Sequence, residues 1–376
     1  MNVSSAPSRT TSHLPPAPKG IVGSQGEPLT GTYLGSPDRV DLRGLDSDYR
    51  KPLDRWIRDK EFTYTALSGV SDQGTRVKVI MAVTDLGYAS SAFVSAFDLD
   101  KKKVLADHTF LGLPGEADIS EQPVEGLQVS YHGHFNNAHL SLSHPRGAEQ
   151  YSQHIDIPAR AGQPALAFDG VFGKGGPEPA TLVTPMLRTG EETPSALAMT
   201  VKSQALPGSG VLNVGDQTFH LRELAASIDY TSGTLPRVTE WQWGSVTGKL
   251  SDGRPFGINM GVGFNDTDPR VNNNLLWVGD TTGGWSVTEL PKLKFDYDVK
   301  RPLDPWSVTS DDPNVEVDLQ FEPSVMHSEK RNLGLIGIDF DQPSGYWKGT
   351  ITDHRSGQVY SFEKADGVAE NQWVKW

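Results

Sequence analysis

Alternating apolar and polar residues dominate this chain, and this is the pattern of β-strands with one buried face. In the clearest segment, residues 315–322, every odd position is apolar and every even position is polar or charged. Similar alternation occurs at residues 77–83, 127–131, 258–264 and 292–299. The pairs Asp252-Gly253, Gly283-Gly284 and Ser356-Gly357 predict tight hairpin turns. The pattern therefore predicts a mostly β protein with antiparallel neighbouring strands.

Helical periodicity is sparse. The two best candidates, near residues 53–56 and 221–227, are short, so an α/β parallel sheet is disfavoured. Many short strands separated by turn residues favour a sandwich or a barrel instead. The basic run Lys101-Lys102-Lys103 lies between two apolar segments, and we predict that it is the solvated tip of a hairpin.

The length of 376 residues suggests two or three domains, and we predict two. Glycine- and proline-rich stretches at residues 174–179 and 206–210 are the best candidates for a boundary. We place the N-terminal barrel-like domain at residues 26–205 and the C-terminal one at residues 206–376. Residues 1–25 are rich in Ser, Thr, Pro and Ala, and we expect a flexible leader there.

Composition excludes several functions. The net charge of −13 would repel phosphate backbones, so nucleic acid is not an expected partner. The absence of cysteine excludes disulfides, thiolate nucleophiles and cysteine-ligated zinc. No apolar run has the length of a secretory signal or a membrane span, which predicts a soluble, cytoplasmic protein without stable membrane insertion. No phosphate loop, dinucleotide fingerprint or nucleophile elbow occurs in its required context, and we predict no cofactor.

Eight of the nine tryptophans follow residue 240. Large aromatic residues fill barrel interiors, and they also line sites for apolar ligands or stack on sugars. Trp241 and Trp243 share one face of a predicted strand at i, i+2 spacing. Together with Trp277 and Trp306, they are our candidate ligand-binding tryptophans.

Histidines form a second group of candidate residues, for a metal site. His132 and His134 are two residues apart in a predicted strand, and His139 follows. Two such imidazoles with one more ligand from another strand could hold zinc or iron. The alternative is an ordinary position on the solvent face, so we name no metal ligands and leave open whether these histidines meet.

Two stretches carry a resemblance to a known family. Residues 225–233 (AASIDYTSG) and 240–245 (EWQWGS), with further matches at residues 272–277, 305–306, 321–323 and 367–373 and around Trp56 and residues 85–88, resemble the bacterial domain-of-unknown-function family numbered 2804. That family is similar to the twin-lipocalin proteins, which include carotenoid 1,2-hydratases and AttH-type proteins. The resemblance implies two calycin- or lipocalin-like antiparallel β-barrel domains packed together.

The hydratase relatives use a buried acid to protonate an isoprenoid double bond. By motif, the resemblance implies that Asp229 takes the place of this acid, while Trp241 and Trp243 fall in the Trp-rich strand. Ser227 and Ser232 stand where the hydratase pattern has tryptophans. Tyr230 and His220 are candidates as neighbours of Asp229. The alternative role of Asp229 is structural, with its carboxylate capping a turn at residues 231–233.

We therefore predict that the chain encloses a hydrophobic or amphipathic small molecule, of lipid or isoprenoid type, in a pocket lined by C-terminal aromatic residues near the domain junction. As an enzyme it would perform cofactor-free, acid-catalysed hydration, cyclisation or isomerisation; a binding protein would need no acid. An alternative is carbohydrate binding or cleavage, which predicts an open groove with exposed, coplanar tryptophans. The sequence does not fix the oligomeric state.

Overall fold

The structure, a computed structural model, describes residues 10–160, 162–188, 190–264, 268–332, 334 and 336–376. Strands hold 61% of the chain and helices 2%, so the predicted mostly β class is confirmed. No helix in the described residues is long and apolar enough to cross a membrane.

Among the described residues, the first part of the chain contains fourteen strands, one short α-helix and a 3₁₀ helix at Leu42–Gly44. In chain order the strands and the α-helix are β1 (Thr10–Ser12), β2 (Gly31–Leu34), α1 (Asp54–Ile57), β3 (Asp59–Ser71), β4 (Arg76–Asp85), β5 (Ser90–Asp98), β6 (Lys103–Gly112), β7 (Ala117–Ile119), β8 (Leu127–His132), β9 (His139–His144), β10 (Tyr151–Ile157), β11 (Leu166–Phe172), β12 (Ala180–Met186), β13 (Ala196–Val214) and β14 (Gln217–Thr234).

The second part contains nine strands. These are β15 (Val238–Lys249), β16 (Pro255–Val262), β17 (Leu275–Gly279), β18 (Trp285–Glu289), β19 (Leu293–Asp296), β20 (Trp306–Ser310), β21 (Val315–Asn332), β22 (Gly337–Asp353) and β23 (Gln358–Lys375). All five segments with clear alternation in the sequence overlap strands, namely β4, β8, β16, β19 and β21. Two of these strands are shorter than the alternation predicts, since β16 ends at Val262 and β19 at Asp296.

The strands form two sheets, a half-barrel and a nearly closed barrel. The N-terminal sheet has the order β6-β5-β4-β3-β14-β13-β11-β10-β9-β8-β7, with β12 pairing with β13 and β2. The C-terminal sheet has the order β1-β18-β17-β16-β15-β23-β22-β21-β20-β19. All named strand pairs are antiparallel except β1 with β18. The predicted arrangement of two barrel-like, mostly antiparallel sheets is thereby confirmed.

The three predicted turns lie at the glycine-containing pairs of the sequence. Gly253 joins β15 to β16 at φ +90°, Gly283 joins β17 to β18 at φ +87°, and Gly357 joins β22 to β23 at φ +72°. Lys102 sits at the tip of the β5–β6 hairpin with φ 52°. Glycine adopts positive φ angles without steric cost, which accounts for Gly253, Gly283 and Gly357 at these turns.

Only one of the two candidate helical segments is helical in the structure. The segment near residues 53–56 does contain a helix, α1. Residues 221–227, however, lie inside β14 and pair with β13 on one side and β3 on the other. A ladder on both edges satisfies the backbone hydrogen bonds there, and this outweighs the local helical tendency.

The expected domain limits differ from the arrangement of the sheets. The chain passes from one sheet to the other between β14 and β15, after Thr234, whereas the predicted division at residue 205 falls inside β13. Part of the expected flexible leader is also packed: Thr10 pairs with Trp285, and the side chain of Ile21 is 1% exposed. Residues 1–9 lie outside the described residues.

Each sheet encloses its own apolar core on its concave side. The N-terminal core includes Leu67, Met81 and Phe168, and the C-terminal core is built around Trp306 and Trp347. Each of these side chains is at most 1% exposed.

A third apolar layer lies between the two sheets, because several strands bury both faces. On β3, Leu67 points into the N-terminal core while Tyr64 and Ala66 pack against the other sheet. On β23, Ala369 belongs to the C-terminal core and Val368 to the layer between the sheets. The side-chain alternation of two residues thus supplies a core face and a docking face from the same strand.

Candidate functional site

A cavity of about 180 Å³ opens between the two sheets. Its wall is largely apolar and combines residues of both sheets, including the aromatic residues Phe62, Tyr64, Phe93, Trp241, Trp243 and Phe340. The ionisable side chains of Lys202, Asp229 and Glu370 line the cavity between the sheets, and Glu329 and Arg331 line it as well. Enclosed apolar cavities with a few convergent polar groups are the usual form of small-molecule sites.

Strand register brings these polar groups together. Lys202 on β13 lies directly opposite Asp229 on β14, and Asp229 lies opposite Tyr64 on β3. On the facing sheet, Trp243 on β15 lies opposite Glu370 on β23. Directly opposed residues of neighbouring strands share a face of the sheet. The site is therefore assembled by pairing along β3, β14 and β13 on one side and β15 and β23 on the other.

Glu370 is the central carboxyl group. It is 6% exposed, and each of its oxygens accepts a hydrogen bond. The indole N–H of Trp241 donates to Oε1 at 2.6 Å, and the amide Nε2 of Gln342 donates to Oε2 at 2.7 Å. Burial raises the pKa of Glu370 to about 7, although these two hydrogen bonds and the charge of Lys202 act in the opposite direction. Near neutral pH this carboxyl group exists in both protonation states.

The amide of Gln342 links Glu370 to Tyr64. The Tyr64 hydroxyl donates to Gln342 Oε1 at 3.2 Å. Burial raises the pKa of Tyr64 well above its ordinary value, so this hydroxyl keeps its proton. The series Tyr64, Gln342, Glu370 and Trp241 is a continuous hydrogen-bonded chain that crosses from one sheet to the other.

Lys202 and Asp229 form an ion pair, with Lys202 Nζ donating to Asp229 Oδ2. Their side chains are 5% and 13% exposed, respectively. The ammonium group also lies 5.3 Å from the ring centroid of Trp243, within the range of a cation–π interaction. The indole of Trp243 is itself fixed, because its N–H donates to Asn259 Oδ1 at 2.9 Å.

The mouth of the cavity lies at the ends of β6 and β21. Leu111 lines it from β6 and is 51% exposed. Glu329 and Arg331 line it from β21 and form an ion pair with an N–O distance of 3.0 Å. A ligand would therefore enter between an apolar side chain and a matched pair of charges.

Three of the residues predicted for the site line this cavity: Asp229, Trp241 and Trp243. The other four lie elsewhere. Tyr230 is buried on the opposite face of β14, where its hydroxyl donates to Ser120 O at 3.0 Å. Trp277 is fully buried and donates to Glu178 O, Trp306 is in the C-terminal core, and His220 is exposed near the far end of β14.

The expected capping role of Asp229 does not fit the backbone. Residues 231–233 belong to β14 and pair with β13 and β3, so there is no turn to cap at this point. Asp229 instead faces the cavity, paired with Lys202.

Lys202 and Glu370 are not among the site residues predicted from the sequence. Both are charges within buried stretches, Lys202 after the run ALAMTV and Glu370 after GVA, where Asp366 is a second buried charge. A charged residue in a strand that is buried on both faces needs a partner or a function. This signal could have identified both residues before the structure.

The histidines do not converge on one point. His132 Nδ1 and His139 Nδ1 lie 2.9 Å apart, whereas His134 Nδ1 lies 3.0 Å from Glu116 Oε1. Within the described ranges, no group of three or more His, Cys, Asp or Glu side chains is placed to hold a metal ion.

The tryptophans also do not form an open groove. Of the nine tryptophans, all within the described part of the chain, only Trp56 is an exposed side chain, at 63%. Trp241 and Trp243 face an enclosed cavity instead of a flat surface. The coplanar exposed platform expected for sugar binding is not present among the residues that the structure describes.

These features define the class of protein: two lipocalin-like sheets that enclose an aromatic cavity with a buried carboxyl group. The chain belongs to the family described as domain of unknown function (DUF2804), whose model matches residues 20–376. No curated protein is significantly similar to the chain.

Two solved structures with TM-scores of 0.51 and 0.50 show the same fold at low sequence identity. An AttH-like protein from Nitrosomonas europaea is 14% identical with a TM-score of 0.51, over 87% of this chain and 95% of the other. CghA in complex with Sch210972 is 10% identical with a TM-score of 0.50, over 96% and 97%. Kievitone hydratase from Nectria haematococca is 10% identical with a TM-score of 0.44, over 88% and 91%. At these identities the similarity concerns the fold alone.

Proposed function

We propose that the cavity between the sheets binds a small apolar or amphipathic molecule and that Glu370 transfers a proton to it. The observation that carries this proposal is a carboxyl group, 6% exposed, at the wall of an aromatic cavity. A ligand-binding protein needs only the apolar wall. A buried carboxyl group that still holds its proton near neutral pH is in addition suited to acid catalysis.

The proposed reaction is cofactor-free hydration, isomerisation or cyclisation of an unsaturated molecule. Glu370 would protonate a carbon–carbon double bond or a carbonyl oxygen, which leaves positive charge on the ligand. The face of Trp241 and the Glu370 carboxylate that the transfer leaves behind would stabilise that charge. Attack by water, or by a second double bond that closes a ring, followed by loss of a proton, would complete a hydration or a cyclisation, and direct loss of a proton from a neighbouring carbon would complete an isomerisation. In each case the Glu370 carboxylate accepts the released proton.

This assignment moves the acid from Asp229 to Glu370. Asp229 forms an ion pair with a buried ammonium group, and a carboxylate in an ion pair has no proton to donate. Glu370 has no cationic partner within hydrogen-bonding distance among the described residues; its two neighbours are the neutral N–H donors of Trp241 and Gln342. Asp229 then serves as the fixed counter-ion of Lys202.

Native mass spectrometry of the gently purified protein tests the proposal, followed by solvent extraction of the molecules that co-purify. Wild type, Glu370→Gln and Glu363→Gln are prepared in parallel; Glu363 is an exposed glutamate on the same strand. We expect an apolar molecule in all three samples and accumulation of a different species in Glu370→Gln only.

A cavity-filling variant locates the bound molecule. Ala82 lines the cavity from β4, so Ala82→Phe should abolish co-purification. Wild-type protein that carries no molecule, or a molecule that Ala82→Phe retains, would rule out binding in this cavity. Identical extracts from wild type and Glu370→Gln would leave a binding protein and refute the catalytic part.

A further inference from the structure

The charges that line the cavity restrict which ligands it can accept. The charged and titratable groups there are Lys202 and Asp229 on the N-terminal sheet, Glu370 on β23, and the Glu329–Arg331 pair at the mouth. Tyr64 keeps its proton. Each cation is already matched by one carboxylate. The remaining group, Glu370, is either neutral or negative, so the cavity never has a surplus of positive charge.

A ligand carboxylate would therefore be buried without a counter-ion. It would have to displace Asp229 from Lys202 and leave Asp229 uncompensated, or remain unpaired itself. Either outcome leaves a desolvated charge, which is strongly unfavourable. While Glu370 is protonated, a ligand ammonium group would likewise be buried without a counter-ion, because Asp229 is already paired with Lys202.

The cavity nevertheless offers hydrogen-bond donors. An ammonium group has three N–H donors, and in the described part of the chain the hydrogen-bond partner of Lys202 Nζ is Asp229. Its other N–H groups are available to a ligand oxygen. Protonated Glu370 supplies a further donor from the facing sheet.

The volume sets the size of the buried group. A protein cavity of about 150 Å³ lined by apolar side chains holds benzene. The present cavity of about 180 Å³ therefore accommodates a single substituted ring or an equivalent branched chain. A longer ligand would extend through the mouth past Leu111.

We infer that the site selects neutral ligands with an apolar body and one strong hydrogen-bond acceptor, such as a ketone, aldehyde or ester, and excludes carboxylates of the same shape. The inference rests on the proposed binding function but not on its catalytic part. The acceptor oxygen binds between the Lys202 ammonium group and the Glu370 carboxyl group, and the apolar body lies against Phe62, Phe93 and Phe340.

Three probes with one ring and nearly equal size test this selectivity: acetophenone, benzoate and benzylamine. Their dissociation constants for the full chain are measured by ligand-observed NMR titration at about pH 5.5, below the raised pKa of Glu370, where this carboxyl group holds its proton. We expect acetophenone to bind at least about tenfold more tightly than either charged probe. Ala82→Phe should abolish binding of acetophenone, which places the probe in the cavity.

Two charge variants provide the sharper test. Asp229→Asn frees the Lys202 charge, so benzoate should gain about tenfold in affinity relative to acetophenone. The double variant Lys202→Met with Asp229→Asn removes both charges and should lose that gain. It also provides a folded comparison if the single variant is unstable, because no unpaired ion remains.

The possible outcomes separate the two proposals. Benzoate or benzylamine that binds wild type as tightly as acetophenone, with loss in Ala82→Phe, would overturn the selectivity and leave the binding function intact. Failure of all three probes to bind would overturn both. A benzoate gain that persists in the double variant would show that Lys202 is not the determinant.

Discussion

Glu370→Gln should change how the stability of the protein depends on pH. The pKa of Glu370 is raised by burial from its ordinary value of 4.5 to about 7. Between these two values the folded protein retains a proton that the unfolded chain has lost. The free energy of unfolding therefore falls as the pH rises from 4.5 to about 7, and it stays lower above that window.

The magnitude follows from the two pKa values. Each pH unit between them corresponds to about 1.4 kcal/mol, so ionisation of Glu370 in the folded protein costs about 3 kcal/mol in total. Glutamine has the same shape and cannot ionise. The stability of Glu370→Gln minus that of wild type should therefore increase by about 3 kcal/mol between about pH 4.5 and about pH 7.5.

Urea unfolding across this pH range, monitored by tryptophan fluorescence and by circular dichroism, measures the difference. Glu363→Gln, which replaces an exposed glutamate of the same strand, is the matched control for the substitution itself. Because other groups titrate in both proteins, only the difference between variant and wild type is used. A change below about 1 kcal/mol would refute the conclusion that a buried, proton-retaining carboxyl group lies at this cavity.

Three further substitutions test the packing and the ion pair, each measured as the free energy of urea unfolding. Trp306→Ala in the C-terminal core should cost about 3–5 kcal/mol, and a loss under about 1 kcal/mol would contradict the packed core. Lys202→Met leaves Asp229 buried and unpaired and should cost about 3 kcal/mol, with partial recovery on adding Asp229→Asn; no recovery would mean that the pair is not coupled. Gly233→Ala places a Cβ 2.1 Å from Leu197 O and should cost at least about 1 kcal/mol, whereas a neutral effect would place these two strands further apart.

The sequence predicted the strands and turns well because both are local signals. Alternation at residues 315–321 reports directly on one buried face, and Gly253 and Gly357 mark turns that need a positive φ. The candidate helix at residues 221–227 is a strand in the structure. It pairs with two neighbouring strands that lie far away in the sequence, and a short stretch of sequence carries no information about such pairing. For the same reason the boundary near residue 205 missed the change of sheet after Thr234: a glycine-rich segment there is a strand irregularity within β13.

The candidate site was predictable in part. Trp241 and Trp243 share a face by simple alternation, and Asp229 was found through the family resemblance. The sequence could not tell which aspartate or glutamate would be protonated, since that depends on partners far away in the chain. Lys202 neutralises Asp229 from the adjacent strand, whereas Glu370 meets only N–H donors and lies 141 residues after Asp229.

The short strand β1 has a consequence for folding during synthesis. Its parallel partner, β18, begins 275 residues after β1 begins, and Ser12 Oγ donates to Val287 O across that separation. Contacts between such distant segments form late and slow the folding of β proteins. On the ribosome, β1 cannot pair until most of the chain has emerged, so the N-terminal sheet would assemble before β1 has docked onto the C-terminal sheet. Nascent chains halted before residue 285 should therefore leave residues 10–12 open to proteases, and full-length release should protect them.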